Sequence, residues 1–378
     1  MRVAIDSRFL LPHLEGFGRF TREIASRLIQ QYPEVSWELL FDRPPLPKYT
    51  FGPTQRNVVI PPQTRHWTLY EIWWHLSVPF FYLRKGAPSA LFATYGIVSK
   101  KVAEKVPTVA FIHDVAFARH PEFLPRDWQA YYMRATRLST RFAQRLIANS
   151  LSVQHDLVEL FGVNPEKIQV SYSGCDTEFF HPMPNLDREA IRRAHAQGYP
   201  YILYVGSIHP RKNPERLLLA YDKLREKYDA PLRLLMVGRF MFKERTALSS
   251  LARMRHREEV IFHPPVSDEV LLRMYNAAEA VVYPSLYEGF GSPVAEGLAC
   301  GVPVVTSRVS SLPETGGEAA FYADPYDPVS IAEAIYQALT QSADERRRRA
   351  LLGLEHVKRF SWNATVQTIW ENLKAIAV

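Results

Sequence analysis

The chain has 378 residues, of which 47% are hydrophobic and 22% are charged, with a net charge of +7. This length fits two domains of ordinary size, and the composition excludes a largely disordered chain. Two cysteines, Cys175 and Cys300, exclude a disulfide framework and are typical of free thiols in a reducing cytosol. The positive charge is too diffuse to predict nucleic-acid binding. The sequence has no apolar run of membrane-spanning length, and we expect no signal peptide because residues 1–6 run directly into a strand-like stretch.

The first half alternates short apolar runs with helical patterns, which predicts a mostly parallel sheet. Its first strand is Val3–Asp6, followed by a loop with Gly16, Phe17 and Gly18 and a helix from about Arg19. The other predicted elements of this half are strands at Trp37–Phe41, Asn57–Ile60, Leu91–Ala93, Thr108–Ile112 and Leu146–Ala148, and a helical stretch at Arg126–Arg145.

The second half repeats this alternation after a proline-rich linker at Phe180–Asn185. Its predicted strands are Tyr201–Val205, Leu232–Val237, Val260–Phe262, Ala280–Tyr283 and Val302–Val305, and helical stretches follow at Ala343–Lys358 and Trp362–Ala377. We therefore predict an α/β protein with one doubly wound domain over residues 1–182 and another over residues 183–360. The pattern leaves open whether the last helix, residues 361–378, returns to the first domain. Ligands bind outside the carboxyl ends of such strands, so an interdomain cleft is expected.

The segment from Tyr283 to Pro303 carries the strongest functional signal. A strand ends there, a glycine-bearing turn follows, and Ser292 and Pro293 favour the start of a helix. The N–H groups of a helix N-terminus suit a phosphate or sugar hydroxyls. Glu288 and Glu296 flank this element, and because carboxylates repel phosphate, we expect both to recognise hydroxyl groups.

With this spacing of Glu288 and Glu296 around Gly-Phe-Gly, the sequence resembles the retaining glycosyltransferases of family 4 (glycosyl transferases group 1). The resemblance spans nearly the whole chain and implies a GT-B fold, in which two Rossmann-like domains face each other. It implies that Glu296 binds the ribose of a nucleotide sugar and that Glu288 contacts the transferred sugar. The backbone of Phe290 and Gly291 would add hydrogen bonds to sugar or phosphate.

A second basic element follows the strand Tyr201–Val205. After a glycine turn at Gly206, adjacent Arg211 and Lys212 can neutralise a diphosphate and stabilise the charge that develops on it. Family members often have an arginine directly after the glycine, but Ser207 stands there, so we expect Arg211 to replace it. Because no Asp-x-Asp triplet occurs in the sequence, we expect no divalent metal and no other cofactor.

The remaining donor and acceptor residues are expected from the resemblance. Gly238 and Val266 are expected to form walls of the nucleotide-base pocket, largely through their backbone. In the first domain, Gly16 and Gly18 are expected to meet the donor phosphate.

His113 is expected near the reacting carbon of the sugar, with a structural histidine as the alternative interpretation. We expect Asp114 and Ser150 on the acceptor side, and a simple helix cap is the alternative for Ser150.

The aromatic stretch His66–Phe81 has two interpretations. Its spacing is typical of a core face, but the aromatic residues would also suit shallow adsorption to anionic lipid together with nearby basic residues. These basic residues are Arg65, Arg84, Lys85, Lys100 and Lys101. We therefore leave a peripheral membrane contact open.

Together these patterns predict a retaining, metal-independent hexosyltransferase of polysaccharide biosynthesis, located in the cytoplasm or at the inner membrane face. The donor is expected to be a GDP- or UDP-hexose, with mannose favoured because Pro-Arg-Lys-Asn and His-Asp-Val-Ala-Phe resemble mannosyltransferases. The acceptor is expected to be a glycan or a lipid-linked sugar. Retention would follow from attack on the same face that the phosphate leaves, with the leaving phosphate oxygen taking the acceptor proton. Two alternatives stay open, namely a nucleotide-sugar 2-epimerase of the same fold and a catalytically silent partner subunit.

Overall fold

The computed structural model describes residues 1–11, 16–64, 66–241 and 245–378, except for the side chains of Trp67, Arg245 and Thr246. The chain forms two compact units. Unit 1 comprises Met1–Gly174 and Ser361–Val378, and unit 2 comprises Cys175–Phe360. The chain passes from one unit to the other before residue 182, and the segment 361–378 belongs to unit 1.

Unit 1 contains seven strands, which in chain order β1 to β7 are Arg2–Asp6, Ser36–Phe41, Gln55–Val59, Ala90–Ala93, Thr108–Ile112, Arg145–Ala148 and Ile168–Val170. They form one parallel sheet in the order β3-β2-β1-β4-β5-β6-β7. Residues 3–5 of β1 are fully buried, as expected for a parallel sheet covered on both faces. The chain order of the strands reverses between β1 and β4, which makes the carboxyl ends of these two strands the expected ligand-binding position.

The α-helices of unit 1 are Gly16–Gln31, Trp67–Ile72, Val78–Lys85, Lys100–Ala103, Ala116–Arg119, Arg126–Phe142 and Leu151–Phe161, labelled α1 to α7 in chain order. The last helix of the chain, Trp362–Ile376, also packs in this unit against α1. Thr365 of that helix donates a hydrogen bond of 2.7 Å to the carbonyl of Tyr172. A Cβ at Gly174 would lie 2.3 Å from Cγ of Trp362, so only glycine allows this close approach.

The aromatic stretch that follows residue 65 forms α2, a π-helical turn at Trp73–Ser77 and α3. Trp73 and Trp74 are buried in the core of unit 1, which confirms the core-face interpretation for these two residues. Arg65 and the side chain of Trp67 lie outside the described part of the chain. Among the described helices, none has the length and apolar character needed to cross a bilayer.

Unit 2 contains the strands β8 to β13, which are Tyr201–Val205, Arg233–Val237, Val260–His263, Ala280–Tyr283, Val304–Ser307 and Phe321–Ala323. They form a second parallel sheet in the order β10-β9-β8-β11-β12-β13. Its α-helices, α8 to α15, are Arg188–His195, Pro214–Arg225, Arg245–Arg253, Asp268–Ala277, Ser292–Ala299, Leu312–Gly316, Pro328–Thr340 and Ala343–Val357. We label the final helix of unit 1, Trp362–Ile376, as α16.

Among the differences from the sequence-based expectation, four elements stand out. Gly16, Phe17 and Gly18 lie in the first turn of α1 rather than in a loop before it. The strand expected from Val302 begins at Val304, because Gly301 has a left-handed φ of 69° and residues 301–303 still belong to the turn after α12. The three-residue strands β7 and β13 were not predicted, since they are too short to show a periodic pattern.

Candidate functional site

A cluster of charged side chains lies after β8 and β11 of unit 2. Strand order reverses between these two neighbouring strands, so the loops that follow them flank the position where open α/β sheets bind ligands. The loop after β8 leads through Gly206 to a short 3₁₀ turn at Pro210–Lys212. The loop after β11 leads through Glu288 to α12.

Asn213 joins the two loops. Its side-chain amide donates to the carbonyl oxygens of Pro284, at 3.0 Å, and Pro325, at 2.7 Å. Its φ of 60° is left-handed, a conformation that asparagine tolerates better than most residues. The backbone N–H of Leu286 also donates to the carbonyl of Arg211 at 2.8 Å. Sequence reasoning missed Asn213, although an asparagine directly before a helix-starting proline is a turn signal.

Glu288 forms ion pairs with both basic residues of the β8 loop. Its Oε2 lies 2.8 Å from Nη1 of Arg211, and its Oε1 lies 2.5 Å from Nζ of Lys212. The Glu288 side chain is 7% exposed, and burial alone would raise the pKa of its carboxyl group. The charges of Arg211 and Lys212 outweigh burial and lower this pKa to about 2. The buried carboxylate of Glu288 thus pairs with two half-buried cations, and the cluster keeps one positive charge in excess. We call these three residues the charged triad.

Neighbouring groups hold the charged triad in place. Nζ of Lys212 donates a hydrogen bond to the hydroxyl of Tyr283, the last residue of β11. Nη1 of Arg211 also donates to the carbonyl of Tyr287 at 3.0 Å. The backbone N–H of Glu288 donates to Oγ of Ser310, and Oγ of Ser311 donates to the carbonyl of Glu288, both at 2.9 Å. Sequence reasoning did not identify these supporting roles, because the residues are distant in sequence.

The second predicted glutamate lies one element further along the chain. Glu296 is in α12, 9% exposed, and its Oε2 accepts a hydrogen bond of 2.7 Å from the hydroxyl of Tyr275. Gly291 precedes this helix with a left-handed φ of 96°, and a Cβ there would lie 2.8 Å from Cδ2 of Leu312. The carbonyl of Phe290 accepts a hydrogen bond from Thr315. The turn before α12 is therefore fixed on both sides.

Gly206 and Gly238 occupy positions that exclude larger residues. Gly206 has a φ of 151°, and its N–H donates to the carbonyl of Val237 at 2.9 Å. A Cβ at Gly238 would lie 1.9 Å from the carbonyl oxygen of Gly206. Both glycines thus have a structural role at the ends of β8 and β9. Val266 is half-buried in the turn after β10.

In unit 1, His113 follows β5 directly and is half-buried. Its Nε2 donates to the carbonyl of Thr94 at 2.7 Å, which fixes the tautomer with the proton on Nε2. The rings of Phe17, Phe20 and Phe111 lie 4.6–4.9 Å from the imidazole ring, measured between centroids. Burial lowers the pKa of His113 to about 4, so the side chain is neutral at pH 7. Gly16 is exposed and Gly18 is buried, both in the first turn of α1.

Asp114 and Ser150 each accept a backbone hydrogen bond at the start of a helix. Oδ1 of Asp114 accepts from the N–H of Ala116 at 3.1 Å, at the start of α5. Ser150 is fully buried, and its Oγ accepts from the N–H of Val153 at 3.1 Å, which makes it the N-cap of α7. Ser150 therefore acts as a helix cap in this structure, which was the alternative interpretation of this residue. A contact of either residue with an acceptor stays a prediction.

Comparison with known families gives two matches that together span most of the chain. Residues 187–351 match the profile of "Glycosyl transferases group 1", and residues 14–179 match the profile of "Glycosyltransferase Family 4". Glu288, Glu296 and both cations of the charged triad fall in the first of these ranges.

Two curated relatives and two solved structures illustrate the similarity. O-antigen chain mannosyltransferase B of Escherichia coli is 32% identical over 69% of this chain and 68% of its own length. A D-inositol 3-phosphate glycosyltransferase of Thermomonospora curvata is 32% identical over 70% of this chain and 65% of its own length.

Among solved structures, sucrose-phosphate synthase from Thermosynechococcus elongatus superposes with a TM-score of 0.80 at 19% identity, covering 99% and 98% of the two chains. Anabaena HepE in complex with UDP and glucose has a TM-score of 0.76 at 18% identity, covering 99% of each chain. The two parallel Rossmann-like sheets thus confirm the predicted GT-B fold.

Proposed function

We propose that this chain, which belongs to the glycosyltransferases of group 1 and family 4, transfers a hexose with retention of configuration to a hydroxyl of a glycan or lipid-linked acceptor. The donor is a nucleoside diphosphate sugar bound in unit 2. The observation that carries this proposal is the charged triad at the carboxyl ends of β8 and β11. The relatives support the donor class, since solved structural neighbours contain UDP or UDP-glucose.

The donor diphosphate would bind to Arg211 and Lys212. Without donor, Glu288 pairs with both cations, at 2.8 Å from Arg211 and 2.5 Å from Lys212. A diphosphate carries more negative charge than one carboxylate and would draw the two cations toward itself. Glu288 would then be available to accept hydrogen bonds from hydroxyl groups of the transferred sugar. In both states each cation would have an anionic partner, which limits the cost of burying charge.

The transfer step would need no general base. As the bond between the anomeric carbon and the diphosphate oxygen breaks, negative charge develops on the leaving phosphate, and Arg211 and Lys212 stabilise it. The acceptor oxygen bonds to the anomeric carbon on the same face that the diphosphate leaves. This same-face attack retains the configuration. The acceptor hydroxyl gives its proton to the leaving phosphate oxygen, which balances the reaction. We propose that these two cations supply the positive charge that a divalent metal supplies in other transferases.

Glu296 would bind ribose hydroxyls of the nucleotide, with its carboxylate oriented by the hydroxyl of Tyr275. The turns at Gly206, Gly238, Val266, Phe290 and Gly291 would complete the donor site through their backbone. His113, Gly16 and Gly18 stay proposed donor contacts of unit 1. Mannose from GDP-mannose is our proposed donor sugar because the relative from E. coli is named a mannosyltransferase.

A panel of nucleotides tests the donor proposal. The thermal midpoint of the full chain would be measured with UDP, GDP and ADP and with their hexose conjugates, all in EDTA, because bound ligand raises stability by mass action. We expect a rise with one nucleobase. The absence of any rise with the whole panel would contradict the proposed function. Incubation with donor alone also separates a transferase from an epimerase, because only an epimerase converts the donor to its 2-epimer without acceptor.

The surface of unit 1 supports a proposed contact with the membrane that holds a lipid-linked acceptor. Ile72, Leu76, Phe80 and Leu83 are 41–64% exposed, at successive spacings of four, four and three residues along α2, the π-helical turn and α3. We call these four residues the apolar stripe.

Exposed basic side chains lie on the same helix as this stripe and on the helix packed against it. The guanidinium of Arg84 lies 4.3 Å from the ring centroid of Phe80, and Lys85 is exposed at the end of α3. Lys100 and Lys101 are exposed on α4, which packs against α3. Exposed apolar side chains bordered by lysine and arginine fit the surface of an anionic bilayer. We propose that the protein works in the cytoplasm with this surface on the inner membrane face, in polysaccharide biosynthesis.

Cosedimentation with vesicles tests this contact. The protein is expected to sediment with vesicles of phosphatidylethanolamine and phosphatidylglycerol and to do so much less with phosphatidylcholine alone. The triple variant Leu76→Ser, Phe80→Ser, Leu83→Ser should reduce binding to anionic vesicles about tenfold or more. Leu248→Ser with Leu351→Ser, two exposed leucines of unit 2, serves as the control. Unchanged binding of the stripe variant would contradict the proposal.

A further inference from the structure

At the carboxyl end of β1 in unit 1, a buried ion pair joins Asp6 and Arg8. Nε of Arg8 donates to Oδ1 of Asp6 and Nη2 donates to Oδ2, both at 2.8 Å. Each side chain is 1% exposed. β1 and β4 are the strands between which the order of this sheet reverses, so the pair lies where such a sheet is expected to bind a ligand.

The fold leaves part of this pair without a hydrogen-bond partner among the described residues. Buried ion pairs are often replaceable by apolar residues of similar volume without loss of stability, because desolvation offsets their attraction. Nη1 of Arg8 is buried and has no hydrogen-bond partner among the described residues. The same is true of Nε1 of Trp74, whose ring lies 5.1 Å from the guanidinium carbon of Arg8. Each of these two buried donors lacks an acceptor oxygen, which a ligand can supply.

Aromatic side chains enclose Arg8. Its guanidinium carbon lies 4.3 Å from the ring centroid of Trp73 and 5.1 Å from that of Trp74, and both of these rings are buried. It also lies 5.1 Å from the ring of Tyr70 and 6.0 Å from that of Phe9. Tyr70 and Phe9 are only half-buried. The enclosure therefore has a closed inner wall and an outer wall that reaches solvent.

The outer wall continues to His113. The ring of Phe9 lies 4.5 Å from that of Tyr95 and 6.0 Å from that of Phe17, measured between centroids. The ring of Phe17 lies 4.9 Å from that of His113. Phe9, Tyr95 and His113 follow β1, β4 and β5 respectively. These partly exposed rings form one row along the carboxyl edge of the sheet, which we call the aromatic row: Tyr70, Phe9, Tyr95 and Phe17.

We infer that the aromatic row and the Asp6–Arg8 pair form a subsite for an uncharged saccharide of the acceptor, with Nη1 of Arg8 donating to one of its oxygens. A sugar ring has apolar C–H faces that pack on aromatic rings and hydroxyl edges that need hydrogen bonds. The carboxylate of Asp6 cancels the charge of the guanidinium, so the subsite offers a donor without a net charge. This favours a sugar hydroxyl over a phosphate or carboxylate. The inference rests on the proposed transferase function, because it identifies the substrate that accepts the hexose.

Access to Nη1 would require the half-buried ring of Tyr70 to turn away from Arg8. The ligand would take the place of this ring against the guanidinium, and the buried rings of Trp73 and Trp74 would stay as the inner wall. The sugar would lie between Arg8 and the His113 end of the row.

Saturation-transfer NMR on the full chain tests the subsite, with saturating UDP or GDP present. The probes are methyl α-mannoside, methyl α-glucoside and methyl N-acetyl-β-glucosaminide, with mannose 6-phosphate as the charged comparison. We expect transfer to at least one neutral glycoside. No transfer to any of them, or tighter binding of the phosphorylated sugar, overturns the inference.

Two variants separate binding from folding. Arg8→Met combined with Asp6→Asn removes both charges together, so that no buried charge is left unpaired. Tyr70→Ala removes the outer ring and leaves the ion pair. Both are expected to weaken glycoside binding at least tenfold while the thermal shift caused by nucleotide in unit 2 stays as in the wild type. Arg2→Gln, at the opposite end of β1, is the control and should bind glycosides normally.

Glycoside binding that survives in both variants overturns the inference. If nucleotide caused no rise in the thermal midpoint of the wild-type protein, the proposed function would be contradicted instead. The two failures are therefore distinguishable.

Discussion

The carbonyl oxygen of Gly206 occupies the space in which a side chain at Gly238 would begin. A Cβ at residue 238 would lie 1.9 Å from this oxygen, far inside van der Waals contact, and the atom it meets belongs to the backbone. The loops after β8 and β9 therefore depend on each other at the position where the donor is proposed to bind.

Gly238→Ala should destabilise unit 2, because the backbone at Gly206 must move to admit the methyl group. We expect a loss of about 3 kcal/mol or more in the free energy of unfolding, measured by urea denaturation. Gly162→Ala is the control, since Gly162 has a left-handed φ of 64° but no atom within 4 Å of the Cβ position. Its expected cost is about 1 kcal/mol. Equal costs for the two variants would contradict the steric account.

The depressed pKa of Glu288 predicts a pH dependence of stability. Burial opposes ionisation, but Arg211 and Lys212 lower its pKa from 4.5 to about 2. The unfolded chain therefore binds the proton more readily than the folded chain between these values, so this stabilisation is complete above pH 4.5 and is lost as pH falls toward 2. Wild type and Glu288→Gln should show a difference in unfolding free energy that decreases by up to about 3 kcal/mol over this window. If the difference in unfolding free energy between the two proteins did not change with pH, the ion pairs of Glu288 with Arg211 and Lys212 would be contradicted.

Ribose recognition by Glu296 can be tested with the nucleotide alone. The wild type should bind the ribonucleotide that its donor contains more tightly than the corresponding 2′-deoxynucleoside diphosphate, by titration calorimetry. Glu296→Gln should lower the affinity for the ribonucleotide and reduce this preference. Tyr275→Phe should have the same effects to a smaller extent, because it removes only the hydrogen bond that orients the carboxylate. A preference unchanged in Glu296→Gln would exclude ribose as its partner.

Lys212→Ala should slow transfer by about 10²–10³-fold, corresponding to about 2–4 kcal/mol of barrier, since it removes one of two groups that stabilise the leaving diphosphate. The rate would be measured at saturating donor once the donor is known. Lys223→Ala, an exposed lysine of α9, is the matched control and should transfer at the wild-type rate. If Lys212→Ala transferred at nearly the rate of the control, Lys212 would not stabilise the leaving diphosphate.

The sequence predicts the inner strands well because buried parallel strands are near-continuous apolar runs, and Thr108–Ile112, Tyr201–Val205 and Ala280–Tyr283 have the predicted bounds. The start of α1 was missed because Gly16 and Gly18 are poor helix formers, and packing overrides their propensity. β7 and β13 have three residues each, too few to show a period.

The residues of the charged triad were all named from the sequence, but their contacts were not. Lys212 and Glu288 are 76 positions apart, and only the reversal of strand order brings their loops together. The roles of Asn213, Tyr283 and Ser310 depend on the same long-range contacts. Arg8 gave no signal, because an arginine two residues after a strand is ordinary until its burial and its unpartnered N–H are seen.

The most direct test of the account is nucleoside diphosphate binding in EDTA, measured by calorimetry on wild type and on Arg211→Gln combined with Lys212→Gln. The account predicts that the wild type binds one nucleotide without metal and that the double variant binds it at least tenfold more weakly. Binding that appears only when magnesium is added, or equal binding by both proteins, would contradict it.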